Sequence, residues 1–249
     1  MSMENWQINT VILSSAIGYF IGAVSSARIV ISIFGHGKKT AEETELSLDG
    51  SDEKMVLKTV SASSVSIQIG AKYGFLTYVL DVLKVFAPVM IIKMIYTTQP
   101  YFLLTAFFAL VGHIWPVYHK FKGGRGISAI YGTLFAVDWL GVFATSIPGM
   151  LLGLVVLRDM LSAYILGVLF IIPWLWFRTH NIYYLIFAIA ANIVFIIAMI
   201  PEIKRWMKIR RDGSWGDPTQ TMQLSGMGRG LLKMGKKLGL IKDKSVPTK

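Results

Sequence analysis

The chain has 249 residues, 54% of them hydrophobic and 16% charged, against roughly 45–50% apolar and about 25% charged in an ordinary soluble domain; this excludes a typical soluble enzyme. The net charge is +11, from 25 Lys and Arg against 14 Asp and Glu, so anionic lipid, phosphorylated small molecules and nucleic acid are all admissible partners until the charges are placed. No cysteine is present, which removes disulfides, thiolate metal sites and thioester intermediates. Residues 1–9 lack the basic start and small-residue cleavage site of a secretory signal, so the first apolar run is expected to be retained.

Seven apolar runs follow one another: Val11–Phe34, Gly74–Tyr96, Tyr101–Tyr118, Ile127–Val137, Leu140–Leu157, Met160–Phe177 and Asn181–Ile200. They predict an all-α polytopic membrane protein of about seven transmembrane or re-entrant helices, because crossing about 30 Å of hydrocarbon takes roughly 20 helical residues. The fourth run is too short to cross unless it is re-entrant or tilted. Of the 25 Lys and Arg, 21 fall in segments 35–73, 119–125, 158–159 and 201–249, which places these inside, the N-terminus outside and the C-terminus in the cytoplasm.

The chain divides into a membrane-embedded helical domain, 1–200, including the cytoplasmic loop 35–73, and a basic cytoplasmic tail, 201–249. Within the loop, Glu42–Glu53 is acidic and reads as solvated and mobile. The Ser-rich, β-branched stretch Val60–Ile69 reads as a surface loop or short extended segment. In the tail, Leu224, Met227, Leu231, Met234, Leu238 and Ile241 recur at spacings of three and four among basic residues. The stretch 224–241 is therefore an amphipathic anchor for anionic membrane lipid. Basic residues cluster beside the spans and no stacking aromatic follows Trp215, so nucleic acid is set aside. No obligate protein partner is implied.

Ionisable groups at membrane depth are costly and commonly mark function. With a rise of about 1.5 Å per residue, Arg28 lies about 9 Å from the inner helix end, Asp81 about 10 Å, Lys84 about 15 Å and His113 about 8 Å. Three helices thus offer two cations, a carboxylate and an imidazole at overlapping depth. The plainer alternative is that Asp81 and Lys84, three apart on one face, neutralise each other while Arg28 snorkels to the headgroups.

The stretch from His113 to Gly126 contains Lys122-Gly123-Gly124-Arg125-Gly126 where the third run ends and the fourth begins. Glycine lets backbone approach a ligand closely, its N–H groups can nest phosphate oxygens, and the next helix adds its N-terminus. Lys122 and Arg125 supply countercharge. His113 and His119, six apart with no third ligand, do not make a metal site, and no cofactor is implied.

Gly112-His113, Pro116 and Phe121-Lys122-Gly123-Gly124-Arg125-Gly126 resemble the G-H-x-x-P and F-K-G-G-K-G signature of the bacterial acyl-phosphate:glycerol-3-phosphate acyltransferases, the PlsY family. Leu80-Asp81 with Lys84 is similar to its L-D-x-x-K, and Gly18-Tyr19 with Gly22 to the opening of its first motif. The resemblance implies a multi-pass protein of the bacterial plasma membrane with a cytoplasmic active face. It implies transfer of a fatty acyl group from acyl phosphate to glycerol 3-phosphate, giving lysophosphatidic acid for phospholipid synthesis. By the same resemblance Lys122, Gly123, Gly124, Arg125 and Gly126 cradle phosphate with Arg28 and Ser25, Lys84 completes the charge beside Asp81, and His113 orders the site or assists proton movement.

Arg125 stands for the second Lys of F-K-G-G-K-G and keeps its charge, and the chain departs from the pattern more widely in three other places. Gly22-Ala23-Val24-Ser25 lacks the Ser and Pro of G-S-x-P. The cytoplasmic G-S-x-N-x-G-A-T-N overlays Val56–Ser64, where only Ala62 agrees. H-x-x-N-I overlays Met199–Ile203, so that Glu202 replaces an Asn and would repel phosphate unless a nearby Lys or Arg pairs with it. The alternative to an active enzyme is a catalytically degenerate relative that binds lipid or a partner. An anion transporter is a third reading, for which no internal repeat is visible.

Overall fold

A computed structural model describes residues 6–35, 44–47, 54–57, 60–157 and 159–211. The basic stretch 224–241, Arg158 and most of the acidic segment Glu42–Glu53 lie outside the described residues. Among the described residues, six helical stretches are long and apolar enough to cross a bilayer: Ile8–Phe34, Ala71–Ile95, Tyr101–His119, Trp139–Val156, Leu161–Thr179 and Ile182–Lys208. Ile127–Val137 is a shorter apolar helix beside them. The helical body expected from hydropathy is present, since hydrocarbon offers no partner to an unpaired backbone N–H or C=O.

The first apolar run is two helices, α1 (Ile8–Gly22) and α2 (Ser26–Phe34). The Ser25 hydroxyl caps α2 by accepting from Arg28 N–H at 3.4 Å. The chain breaks here without the proline of the family motif, because a Ser cap supplies the acceptor a helix start needs.

The loop also departs from expectation. A two-stranded antiparallel hairpin, β1 (Thr44–Ser47) and β2 (Lys54–Leu57), pairs Thr44 with Leu57, so the described part of the acidic stretch is ordered backbone rather than open loop. Val60–Ile69, read above as loop or extended, contains helix α3 (Ala62–Ile69), capped by the Ser61 hydroxyl accepting from Ser64 N–H at 3.4 Å. Val65 is fully buried and joins Ala27, Val30 and Ile31 of α2 in a small cluster. Tertiary burial therefore overrides the β-branched preference of the segment. Gly70, at φ +111°, turns α3 into α4 (Ala71–Ile95).

Helix α5 (Tyr101–Ile114) lies against α1. A Cβ on Gly18, Gly22 or Gly112 would strike the carbonyl oxygen of Thr105, Ala109 or Tyr19 respectively, so small residues set this backbone-to-backbone approach. It fixes the end of α5, and hence His113, beside the α1–α2 break.

Helix α6 (Ile127–Val137) has eight of its eleven residues buried. Its C-terminal carbonyls, those of Ala136 and Val137, accept from Lys93 Nζ of α4 at 2.9 and 3.2 Å. The ammonium satisfies groups that a short helix would otherwise leave bare in apolar surroundings. Lys93→Met is expected to destabilise the protein by about 1–3 kcal/mol, read as an earlier melting transition in detergent. Activity at the permissive temperature should persist, because the site lies by the other end of α6.

The remainder is α7 (Trp139–Met150), continued by a π-helical turn Leu151–Val156, then α8 (Met160–Leu169), α9 (Ile171–Thr179) and α10 (Ile182–Arg211). Asp138 joins α6 to α7 and accepts from Trp174 Nε1 of α9 at 2.9 Å, with Arg178 Nε at 3.4 Å. Val85, Val89, Leu110, Leu134, Leu175, Phe195 and Met199 form the core, whereas Phe75, Met94, Phe143, Phe177 and Ile186 remain exposed, as a hydrocarbon solvent permits.

Candidate active site

Asp81 and Lys84 sit one helical turn apart on α4, and Lys84 Nζ lies 2.8 Å from Asp81 Oδ1. His113, in the last turn of α5, brings Nδ1 to 3.8 Å from the same oxygen. Ser128, in the first turn of α6, donates to Asp81 Oδ2 at 3.4 Å. The carboxylate is thus the hub of three helices, 4% exposed in its side chain. A buried charge persists only when paired and hydrogen-bonded in this way.

The break between α1 and α2 completes the group. Arg28 N–H bonds to the Ser25 hydroxyl, and the Val24 carbonyl accepts from Lys84 Nζ at 2.6 Å instead. A sequence that reads as one uninterrupted span therefore opens at the depth of the buried lysine and gives it a backbone acceptor.

Over this cluster folds the turn that leaves α5. Phe121 N–H returns to the Pro116 carbonyl at 3.0 Å, and Gly124 N–H to the His113 carbonyl at 3.1 Å. Lys120 and Phe121 take left-handed φ of 52° and 59°. A Cβ on Gly124 would collide with His113 Nε2, and one on Gly123 with the carbonyl oxygens of His113 and Ile114. Gly126, at φ +90°, starts α6. The glycines at 123 and 124 are there for close approach to the imidazole and its backbone. The expected nest of N–H groups is accordingly reduced, since the Gly124 N–H is spent inside the turn.

Asp81, Lys84, His113, Gly123, Gly124, Pro116 and Ser25 line one cavity together with Ala23, Val24, Ser26, Ala27 and Val60. Its free volume is about 10 Å³, room for about one water, so the site is closed in this conformation. Arg28 reaches the turn from the other side: its Nη2 donates to the Lys122 carbonyl at 2.9 Å, so it is not simply snorkelled to headgroups. Lys122 offers that carbonyl, and its side chain is exposed.

Four of the expected phosphate-binding residues are not in the cavity lining: Arg28 and Lys122, which meet each other beside it, and Arg125 and Gly126. Arg125 Nη1 meets Glu202 Oε2 of α10 at 3.2 Å, which supplies the cationic partner that Glu202 was expected to require. Met199, at the His position of the third family motif, is fully buried packing. Ser128 and the Val24 carbonyl were not legible in the sequence, because a hydroxyl one turn into a helix and a backbone oxygen at an unforeseen break carry no pattern. Among the described residues there is no cluster of His, Asp and Glu fit to hold a metal ion.

Residues 12–209 match the family model described as glycerol-3-phosphate acyltransferase. A glycerol-3-phosphate acyltransferase of Mycoplasma mycoides subsp. mycoides SC is 30% identical over 187 residues, covering 67% of this chain and 67% of that protein. One from Mycoplasma capricolum subsp. capricolum is 33% identical over 137 residues, covering 52% of this chain and 48% of that protein; the match spans about half of the second relative's length. The crystal structure of PlsY (YgiH), an integral membrane glycerol 3-phosphate acyltransferase in its glycerol 3-phosphate form, superposes with a TM-score of 0.64 at 22% identity, over 80% of this chain and 93% of that one. A second structure of the same protein, in its lysophosphatidic acid form, superposes equally well. With a shared membrane fold and a family model covering most of its length, this chain belongs to the glycerol-3-phosphate acyltransferase family.

Proposed function

We propose that the chain transfers a fatty acyl group from acyl phosphate to the 1-hydroxyl of glycerol 3-phosphate, releasing lysophosphatidic acid and inorganic phosphate, at the cytoplasmic face of a bacterial plasma membrane. The observation that carries this reading is the convergence of Lys84, Asp81 and His113 with the Gly123-Gly124 turn on a single cavity. The solved relative in its glycerol 3-phosphate form supports the acceptor, and the concentration of Lys and Arg at this end of the bundle supports the orientation.

Lys84 in the cavity donates to the Val24 carbonyl, and Arg28, outside its lining, to the Lys122 carbonyl. A phosphate oxygen is the stronger, charged acceptor for the same donors. Substrate binding would exchange these carbonyls for phosphate and open the closed cavity, with Ser25 and the turn around Lys122, Gly123 and Gly124 at its rim. Asp81 keeps Lys84 aimed when no substrate is present. His113, wedged between Asp81 and Gly124, orients the turn and stands where a proton leaving the glycerol hydroxyl could be relayed.

The hydroxyl oxygen attacks the acyl carbon, the bond from that carbon to the phosphate oxygen breaks, and the departing phosphate accepts the hydroxyl proton. No Ser-His-Asp nucleophile is needed, because acyl phosphate is already activated. Catalysis then rests on positioning and on stabilising charge at phosphate and carbonyl oxygens. The basic tail would bind anionic lipid.

Purified protein given a long-chain acyl phosphate and glycerol 3-phosphate should release phosphate and form lysophosphatidic acid in equal amounts. Absence of turnover with demonstrable binding of both substrates would establish the degenerate, binding-only relative instead.

A further inference from the structure

We infer that Glu202 of α10 is a positioning residue for the site: through its ion pair with Arg125 it pins the far end of the glycine turn over His113 and Lys84. This rests on the acyltransferase reading for its kinetic consequence, though not for its structural one.

The pair is well buried, with side-chain exposure of 14% for Arg125 and 12% for Glu202. It is long-range in sequence, 77 residues apart, and joins the loop before α6 to the last third of α10. One helical turn further, Trp206 Nε1 donates to Asp159 Oδ1 at 2.9 Å, while Asp159 Oδ2 caps α8 by accepting from Ser162 N–H at 2.6 Å. Residues 202 and 206 lie on one face, so α10 presents a rail of two polar fasteners, one to the turn and one to the start of α8. The rail is therefore stiff where it grips Arg125.

Three of the contacts that hold the turn reach other elements. Gly124 N–H is fixed to the His113 carbonyl, the Lys122 carbonyl to Arg28, and Arg125 to Glu202. The first lies at the cavity lining and the second beside it, and on the acyltransferase reading Lys84 and Arg28 each exchange a carbonyl for phosphate. Neither Arg125 nor Glu202 lines the cavity, and their contact needs no such release. It can stay closed while Arg28 lets go, so that Gly123 and Gly124 keep their register against the imidazole when substrate binds. Arg125 therefore acts on the backbone it belongs to, and its charge is spent on Glu202 rather than on substrate.

The two departures from the family pattern at these positions, Arg for Lys and Glu for Asn, meet each other in space. The carboxylate that would repel phosphate is neutralised, through one contact from Arg125 Nη1 to Glu202 Oε2.

The test uses the full-length chain, which has no native cysteine, with a nitroxide attached to a single cysteine at Lys120→Cys, an exposed position in the turn. Glu202→Gln is expected to sharpen the nitroxide spectrum and to raise KM for both phosphate-bearing substrates at least tenfold, with a smaller change in kcat. The charge-reversed pair Arg125→Glu with Glu202→Arg should restore the immobile spectrum and recover most of the lost kcat/KM. An unchanged spectrum and unchanged KM in Glu202→Gln would overturn the inference. So would loss of turnover in Arg125→Gln with Glu202→Gln at the parent level, because Arg125 would then act on substrate directly. Should Glu202→Gln not survive purification, Glu202→Asp, which keeps the charge and retracts it, must show the same loosening. If the parent chain shows no turnover at all, the acyltransferase reading fails, while the spectra still decide whether Glu202 pins the turn.

Discussion

Lys84→Met is expected to lower kcat/KM for acyl transfer by about 10²–10³-fold, the usual consequence of removing one preorganised donor from a developing oxyanion. The same change leaves Asp81 buried with its nearest cation gone, which destabilises by about 3–5 kcal/mol. The two effects separate in the double variant Asp81→Asn with Lys84→Met. Stability should largely return, because no uncompensated carboxylate remains among α4, α5 and α6, whereas turnover should not. Phosphate release assays and thermal melting of the same preparations check this. Recovery of turnover together with stability would show the pair to be mutual neutralisation on one helix face, with phosphate held elsewhere.

Gly124→Ala is expected to cost about 100-fold in kcat/KM with little loss of melting temperature. The added methyl would overlap His113 Nε2, and the turn cannot slide away because its own N–H is fixed to the His113 carbonyl at 3.1 Å. The imidazole must rotate or the turn must lift by roughly 1 Å, a displacement of the size that costs about 10² in rate when reacting groups are positioned for transfer. Repeating the substitution in His113→Ala tests the cause. With the ring absent the methyl has room, so the second substitution should add almost nothing to the first. Full additivity would place the fault in the backbone rather than in the contact with His113.

How much of the site was readable depends on how each residue is brought there. Asp81 and Lys84 announce themselves, because charges three residues apart inside an apolar run have no membrane-compatible role except pairing or function. His113 and the glycine turn are consecutive in the chain, so a local motif captures them. The closure of the α1–α2 break on Lys84 is different. It depends on Val24 presenting a carbonyl, and a backbone oxygen has no sequence signature. Ser25 looked like a lost motif position, yet as a helix cap it makes the break that a proline would have made. Arg125 was read by its neighbours in the turn as a phosphate ligand, while its partner lies 77 residues away on α10.

Hydropathy was sufficient for the spans and missed the secondary structure between them. Val60–Ile69 has the composition of an extended segment, and becomes helix α3 only because α2 and α4 bury Val65. A bilayer imposes one rule on every crossing segment, that its backbone bonds be made internally, so the all-helical membrane character followed from residue type alone, and the turn at 121–126 from its likeness to a family motif. Which helices touch, where the first one breaks, and whether an ion faces substrate or a distant countercharge were decided by the tertiary structure. The reason is geometric: pairing among buried charges is settled by approach in three dimensions, and the chain positions of Arg125 and Glu202, or of Val24 and Lys84, carry no record of that approach.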